Sequence, residues 1–442
     1  MAREKRRISG ITVRGFKSIS TEQHVEIRPL TILAGANSSG KSSIMQPLLL
    51  LKQTLEAPGD PGALLLDGSH VRFTAADQLL SQFLGKARSP SFSIRLDLLE
   101  HESLTLVFRK EEGKGFEVER MVYSEGSEQI TVAPGMNHDE ILRILPPPWK
   151  TFHQEVEKRE GTHPRWTVRR ERCFLSFELT SDEGSKRRNA FGQHGGISPS
   201  RGFIPYIRGM IHLPGLRGNP ARTYSKLVGG PHFQGTFEPY VASVITQWRT
   251  DNDPKLTELG EQLENMGLTW KVKAEPVGDT QVELKVGRLV HGKRGGASDL
   301  ISIADVGFGV SQSLPVMVAL LVARSGQLVY LEQPEIHLHP LAQRQLAHVL
   351  KSAIDREVVA VVETHSALLL REIQTLVATG VIAKENVGLH WLKREENGST
   401  TVASAELDER GAYGDWPEDF GSTELEAEQA YLDAVEKKGI GR

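Results

Sequence analysis

A glycine-rich loop near the amino terminus constrains this chain more than any other stretch. The segment from Gly35 to Ser43 reads G-A-N-S-S-G-K-S-S and follows the short apolar run Leu30–Leu33. A helical pattern then extends from Ser42 to about Leu55. An apolar strand that leads through such a loop into a helix is the context that distinguishes a P-loop from a chance glycine turn.

The chemistry of this loop predicts phosphate binding. Gly35 and Gly40 allow backbone N–H groups to converge on phosphate oxygens, and the following helix adds the positive end of its dipole. We expect Lys41 to reach the β- and γ-phosphates of ATP and the Ser42 hydroxyl to bind Mg²⁺. The predicted nucleotide contacts comprise the whole loop: Gly35, Ala36, Asn37, Ser38, Ser39, Gly40, Lys41, Ser42 and Ser43.

Two later apolar runs end in polar residues that complete a nucleotide site. The run Leu328–Leu331 ends in Glu332, and the run Val358–Val362 is followed closely by His365. The carboxyl ends of parallel strands meet at one edge of a sheet. We therefore expect Glu332 to bind Mg²⁺, directly or through water, and His365 to contact the γ-phosphate or orient the attacking water.

The composition bounds the class of protein. The chain has 442 residues, which is enough for two or three domains, and a formal net charge of −3. Such a charge gives no overall attraction to nucleic acid, so a DNA contact needs a local patch. The single cysteine, Cys173, excludes an internal disulfide. No secretory signal or long apolar run is evident, and the sequence predicts a cytoplasmic protein without a membrane contact.

The remaining segments read as an α/β protein with an insertion. Alternating strands are predicted at 93–98, 104–109 and 116–122, a chain break at Pro146–Pro148, and a basic region at 158–172. Two glycines at 307 and 309 precede a predicted helix, 313–323, and form either an anion-binding helix start or a flexible turn.

These motifs together resemble the ABC-type ATPases of the SMC, RecF and OLD (overcoming lysogenization defect) kind. The resemblance covers about Ile8–Leu80 and Asp299–Phe420. Its parts are similar to the N-terminal lobe at Ile11–Ser18, the signature motif at Asp305–Gln312, the Walker B motif and D-loop at Glu332–Pro340, and the switch histidine at Thr364–Ser366.

The residues of three segments resemble those of a narrower group, the stand-alone bacterial AAA-family ATPases of OLD-like type. Many of these belong to two-gene anti-phage systems, such as the Septu and PARIS ATPases. The segments are Gly307–Gln312, Glu332–Glu335 and Trp416–Phe420.

The resemblance implies an α/β fold, an ABC-type P-loop ATPase head with a mixed sheet plus an inserted α+β region. It implies ATP and Mg²⁺ as cofactors and a head-to-head homodimer, or a higher homo-oligomer, in which Gly307, Gly309 and Ser311 of one subunit meet the ATP of the other. Arg14 and Lys17 join the expected nucleotide contacts. The predicted organisation is an N-terminal lobe with the P-loop at 1–95, the insertion at 96–205, a linking lobe at 206–298, a C-terminal lobe at 299–420 and a C-terminal helix at 421–442.

One position departs from the family pattern. The residue after the magnesium acid is usually a glutamate that polarises water, but here it is Gln333. An amide positions water but cannot accept its proton. Either Glu335 serves as the base, or hydrolysis is slow and the ATP-bound dimer is long-lived. We expect slow hydrolysis in which Glu335 and His365 assist.

Three functions compete at this stage. The first is a regulatory ATPase that controls a separately encoded effector, a nuclease or toxin, in anti-phage defence, with no nuclease of its own. The second is a DNA-binding ATPase of repair or maintenance that uses the basic Arg165–Arg172 region. The third is an ATP-sensing scaffold with negligible turnover. His337 and His339 are weak evidence for a metal site because no third ligand accompanies them.

Overall fold

The computed structural model describes residues 6–82, 87–99, 101–161, 163–183, 186–189, 196–227, 230, 232–288, 299–414 and 429–435. Its strands, in chain order, are β1 (Ile8–Arg14), β2 (Gln23–Glu26), β3 (Leu30–Ala34), β4 (Ser91–Leu98), β5 (Glu102–Glu111), β6 (Gly115–Glu125), β7 (Glu128–Val132), β8 (Arg165–Glu171), β9 (Phe174–Glu183), β10 (Lys186–Asn189), β11 (Ile211–Leu213), β12 (Tyr224–Ser225), β13 (Val272–Val277), β14 (Gln281–Gly287), β15 (Leu300–Ser302), β16 (Leu328–Glu332), β17 (Val359–Glu363), β18 (Val387–Arg394) and β19 (Thr400–Ala405).

The helices of the same residues are α1 (Lys41–Glu56), α2 (His138–Ile144), α3 (Pro147–Glu160), α4 (Ile204–Gly209), α5 (Val241–Asp251), α6 (Lys255–Asn265), α7 (Phe308–Val322), α8 (Pro340–Asp355) and α9 (Ala367–Ala378). Within the described ranges, no helix is both long and apolar enough to cross a membrane. Residues 429–435 are helical, while the rest of the predicted C-terminal helix and the segment 416–420 lie outside the described residues.

A mixed six-stranded sheet carries the P-loop. Its order is β11-β16-β17-β3-β18-β19, and all neighbours are parallel except the antiparallel pair β18 and β19. Strand β3 is buried along its whole length because both faces of the sheet are covered: Leu30 and Ile32 pack into one apolar core and Leu33 into the other. The predicted α/β fold with a mixed sheet is confirmed.

A second, antiparallel sheet joins the amino terminus to the predicted insertion. Its order is β2-β1-β4-β5-β6-β7. The predicted boundary between residues 95 and 96 therefore falls inside strand β4, whose alternating burial places it in the middle of this sheet. Strand β4 pairs with β1, although α1 lies between the two strands in the sequence. The local sequence pattern does not reveal such a long-range contact.

The triple proline separates two helices, since α2 ends at Ile144 and α3 begins at Pro147. Pro147 is the first residue of α3, a position at which the missing N–H of proline costs nothing and its fixed φ favours the helix. The basic stretch that follows is the end of α3 and strand β8, which pairs with β9 in a small three-stranded sheet.

Candidate functional site

The P-loop adopts a conformation that only glycine tolerates at two positions. Gly35 has φ 147° and Gly40 has φ 99°, both in the left-handed region. A Cβ atom at Gly35 would lie 2.3 Å from the carbonyl oxygen of Leu392, and one at Gly40 would lie 2.6 Å from Thr400 Oγ1. The loop is thus pressed against β18 and β19, and Gly40 directly precedes the first residue of α1.

Lys41 lies at the start of α1 and is buried within the loop. Its Nζ donates hydrogen bonds to the carbonyl oxygens of Gly35 at 3.0 Å and Ala36 at 2.9 Å. Burial lowers the pKa of Lys41, while the charges of Glu363 and Glu335 oppose that shift. The ammonium group is thus held at the centre of the loop by weak carbonyl acceptors, which phosphate oxygens can replace.

One cavity of about 640 Å³ unites most of the predicted site residues. Its lining includes the P-loop from Asn37 to Ser43 together with Lys17, Glu332, Gln333, Glu363, His365 and Arg394. Four elements therefore meet here: the P-loop, the ends of β16 and β17, and strand β18.

Of the predicted residues Arg14, Lys17 and Glu335, only Lys17 lines this cavity. Arg14 is exposed at the end of β1 and does not line the cavity. Lys17 does line it, but its Nζ donates to Gln46 Oε1 at 2.6 Å and lies 4.6 Å from the ring centre of Phe73. Glu335 does not line the cavity. Its Oε1 accepts the backbone N–H of His365 at 2.8 Å.

The predicted signature segment is separate from this cavity. Gly307 precedes α7, Gly309 packs against Leu268, and the Ser311 hydroxyl donates to the Phe308 carbonyl at 3.2 Å. The ring of Phe308 is 50% exposed. None of the three predicted contact residues lines the cavity of the same chain.

Glu332 ends strand β16 and is held from the side remote from the P-loop. Its Oε1 lies 3.1 Å from His212 Nε2, and its Oε2 accepts the backbone N–H of Gly215 at 3.1 Å. Although burial opposes the shift, these hydrogen bonds and the charge of His212 lower the pKa of Glu332. The carboxylate is therefore ionised at neutral pH.

A buried relay extends from Glu332 to the far end of α1. His212 Nδ1 lies 3.0 Å from His70 Nδ1, and His70 Nε2 lies 3.0 Å from Glu56 Oε2. Glu56 in turn pairs with Lys52 at 2.6 Å. His212 carries no local sequence signal for this role, because it lies on the three-residue edge strand β11, which becomes a neighbour of β16 only in the folded sheet.

Glu363 is a site residue that the sequence interpretation passed over. Its Oε2 accepts the Ser42 hydroxyl at 2.9 Å, and its Oε1 accepts the hydroxyl of Tyr330. Burial, with the neighbouring charge of Glu332, raises the pKa of Glu363 to about 7. The signal was present, since Val359–Val362 ends in an acid as Leu328–Leu331 does.

Gln333 and His365 complete the cavity wall. Gln333 has φ 44°, its N–H donates to the Glu363 carbonyl at 2.8 Å, and its carbonyl accepts Arg217 Nη2 at 2.9 Å. Burial and the charge of Lys41 lower the pKa of His365, so its ring is neutral at physiological pH. Burial raises the pKa of Glu335, although the N–H of His365 opposes the shift.

Most of the basic stretch is engaged within the chain. Arg169 pairs with Glu178, Arg170 makes two hydrogen bonds to Asp60, and Arg172 donates to the Thr54 carbonyl. A DNA contact through Arg165–Arg172 remains a prediction.

The donors in the cavity fit ATP with Mg²⁺. The loop offers backbone N–H groups and the Lys41 ammonium to phosphates, and Ser42, Glu332 and Glu363 offer hard oxygen atoms to a cation. Among the described residues, no group of three or more His, Cys, Asp and Glu side chains is arranged to hold a metal alone. Mg²⁺ is commonly bound by one or two carboxylates together with substrate phosphates, and this donor set suits that mode.

Two family models match the chain. Residues 7–139 match an AAA ATPase domain, and residues 165–371 match an AAA domain of the AbiEii toxin, type IV TA system kind. No curated protein matches.

Solved structures of SMC heads are similar to this chain at low identity. An SMC head bound to the C-winged helix domain of ScpA has 12% identity and a TM-score of 0.48, covering 91% of this chain and 98% of its own. The SMC head of Thermotoga maritima has 10% identity and a TM-score of 0.39, and the match covers 91% of this chain and 100% of that structure's chain. An SMC head from Pyrococcus furiosus, bound to the C-terminal domain of ScpA, has 11% identity and a TM-score of 0.43. The match covers 98% of this chain and 100% of that structure's chain. The first family model spans the P-loop and the second spans Glu332 and His365, and together they assign AAA-family ATPase domains to residues 7–139 and 165–371 of this chain.

Proposed function

We propose that this chain binds ATP with Mg²⁺, hydrolyses it slowly in a head-to-head dimer or higher homo-oligomer, and thereby controls a separately encoded effector in anti-phage defence. One observation carries the ATPase part of this proposal. The P-loop, two strand-end carboxylates and His365 line a single cavity of about 640 Å³.

The residues of the cavity divide the work by their chemistry. Lys41 binds the β- and γ-phosphates, Ser42 and the strand-end carboxylates at the cavity bind Mg²⁺, and the neutral ring of His365 donates a hydrogen bond to the γ-phosphate. Bound Mg²⁺ neutralises the charge that develops on the phosphates. Gln333 orients the attacking water through its amide.

Glu335 acts as a positioning residue and not as the base, which was one of the two roles that the sequence left open. Its Oε1 holds the backbone N–H of His365, and it does not line the cavity. With an amide at position 333, no carboxylate follows Glu332 directly to accept the proton of water, and we therefore expect slow turnover.

A second copy of the chain supplies the signature segment. Gly307, Gly309 and Ser311 do not line the cavity of their own chain, and the exposed Phe308 ring marks the same surface. If this segment contacts ATP, it does so across an interface. The toxin–antitoxin description of the family model that matches residues 165–371 supports a partnership with a separate effector.

The direct test compares the wild type with a Lys41→Ala variant. We expect ATP hydrolysis and ATP-induced dimerisation, followed by light scattering after gel filtration, in the wild type only. Co-expression with the neighbouring genes then tests for a co-purifying nuclease or toxin whose activity changes with ATP. Equal hydrolysis by the wild type and the Lys41→Ala variant would refute the ATPase assignment.

Gln333 also favours a second candidate, an ATP-sensing scaffold with negligible turnover. In that case the wild type dimerises with ATP but releases no more phosphate than the Lys41→Ala variant. A Gln333→Glu variant then gains measurable hydrolysis, because the missing carboxylate is restored.

A further inference from the structure

The carboxylate in contact with the P-loop serine belongs to Glu363. Strand β17 lies between the P-loop strand β3 and strand β16, and Leu33, Glu363 and Glu332 stand side by side in register. Adjacent strands lie about 4.8 Å apart. The backbone of Glu332 is therefore one strand further from the P-loop than that of Glu363.

Two hydroxyl groups fix the Glu363 side chain. Ser42 donates to its Oε2 at 2.9 Å, and Tyr330 donates to its Oε1. Tyr330 is fully buried, and Glu363 is only 3% exposed. The side chain thus has one well-defined position, at the edge of the cavity and against the first turn of α1.

The Glu332 side chain is held from the other side of the sheet edge, by β11 and the residues after it. Its two oxygens meet His212 and Gly215, which lie on or just after the edge strand β11. These contacts hold its carboxylate from the side of β11, the edge strand next to β16. Gln333, the next residue, offers an amide and no charge.

We propose that Glu363 is the carboxylate that binds Mg²⁺ together with Ser42, which leaves Glu332 to act on water beside the uncharged Gln333. This inference rests on the proposed ATPase function. Because the Ser42 hydroxyl donates a hydrogen bond to Glu363, the lone pairs of Ser42 Oγ remain free for a cation. Carboxylate and hydroxyl oxygens are the hard ligands that Mg²⁺ prefers. Glu332, held by His212, then orients water together with the Gln333 amide.

The test measures the magnesium requirement of nucleotide binding, separately from turnover. A fluorescent ATP analogue is titrated at varied Mg²⁺ with the wild type, Glu363→Gln and Glu332→Gln, and the exposed Glu385→Gln serves as the matched control. For Glu363→Gln we expect the half-saturating Mg²⁺ concentration to rise roughly tenfold or more. Glu332→Gln loses turnover with a smaller change in that concentration, and Glu385→Gln matches the wild type.

A second measurement replaces Mg²⁺ by Mn²⁺ and follows the bound ion by electron paramagnetic resonance. The Glu363→Gln variant is expected to bind less Mn²⁺ in the presence of ATP than the wild type. A wild-type magnesium requirement in Glu363→Gln, or a larger change in Glu332→Gln, overturns the assignment.

Binding in EDTA separates this inference from the function on which it rests. Without a divalent cation, the wild type and Glu363→Gln should bind the analogue equally, and Lys41→Ala should not bind it. This result also shows that the Glu363→Gln variant is folded. If the wild type does not bind the analogue at all, the proposed function fails; if it binds and Glu363→Gln behaves like it at every Mg²⁺ concentration, only the role of Glu363 fails.

Discussion

Replacement of Glu363 by glutamine should stabilise the nucleotide-free protein, although Glu363 belongs to the site. The carboxyl group is 3% exposed, and its pKa rises from an ordinary 4.5 to about 7 because burial and the charge of Glu332 disfavour ionisation. Glutamine keeps the shape of the side chain and accepts the Ser42 hydroxyl through its amide oxygen. It removes only the group that must be ionised at high pH.

The sign follows from the two states of the chain. Below about pH 4.5 the carboxyl group is protonated in both the folded and the unfolded protein, so its titration has no effect. Between 4.5 and about 7 the unfolded chain releases the proton while the folded chain keeps it, so the wild type loses stability as the pH rises. Above about pH 7 the loss is constant, at about 3 kcal/mol in total, since one pKa unit corresponds to about 1.4 kcal/mol.

The assay is thermal unfolding in EDTA at about pH 5.5 and about pH 8.5. The advantage of Glu363→Gln over the wild type should grow by about 2 kcal/mol between these values, or by roughly 2–5 °C in melting temperature. Glu385→Gln, at an exposed position, should follow the wild type at both pH values. If the difference between Glu363→Gln and the wild type does not change with pH, the carboxyl group is not held protonated and the reasoning is refuted.

Three further predictions follow from the same geometry. Glu56→Gln should destabilise the protein by about 3–5 kcal/mol in thermal unfolding, because it leaves the fully buried Lys52 ammonium without its counter-charge; a loss below about 1 kcal/mol would contradict this. Gly35→Ala should weaken ATP binding more than tenfold in calorimetry, since its Cβ would lie 2.3 Å from the Leu392 carbonyl oxygen; wild-type affinity would show that the loop adapts. Binding of ATP with Mg²⁺ should release close to one proton from Glu363 at about pH 6 and almost none at about pH 9, measured in two buffers of different ionisation enthalpy; equal release at both pH values would exclude Glu363 as the source.

The parts of the site that the sequence predicts are those with a local pattern. The P-loop needs a strand, two glycines and a helix within one short segment, and the strand Leu30–Ala34 and helix Lys41–Glu56 match that expectation. Glu332 is identified as a strand-end acid from the apolar run before it. These features depend on neighbours in the chain, so they are readable without the fold.

The parts that escaped prediction depend on strand order. Glu363 has the same local pattern as Glu332, but its place beside Ser42 follows only from the position of β17 between β3 and β16. His212 reaches Glu332 only because a three-residue strand pairs at the edge of the sheet. The predicted boundary near residue 95 lies within β4, which pairs with β1 over a similarly long sequence distance. Pairing over long sequence distances leaves no periodic trace in either strand.

Hydrogen-bond counting along the buried relay explains why the two strand-end carboxylates differ. The pKa values of Glu56 and Glu332 are lowered, so both are ionised and only accept hydrogen bonds. His70 Nε2 and His212 Nε2 must therefore each donate, and the contact of 3.0 Å between their Nδ1 atoms requires one more proton. Two neutral imidazoles carry one N–H each, so the neutral pair supplies two of the three protons that these contacts can use.

Through His212, this pair contacts Glu332 on the side remote from the P-loop, whereas Glu363 is hydrogen-bonded to two neutral hydroxyls. A cation that enters at Ser42 meets one carboxylate that is already engaged by His212 and Gly215 and one that contacts hydroxyl groups. This asymmetry is the reason to expect that Glu363 binds the metal and Glu332 orients water, although they stand side by side in the same sheet.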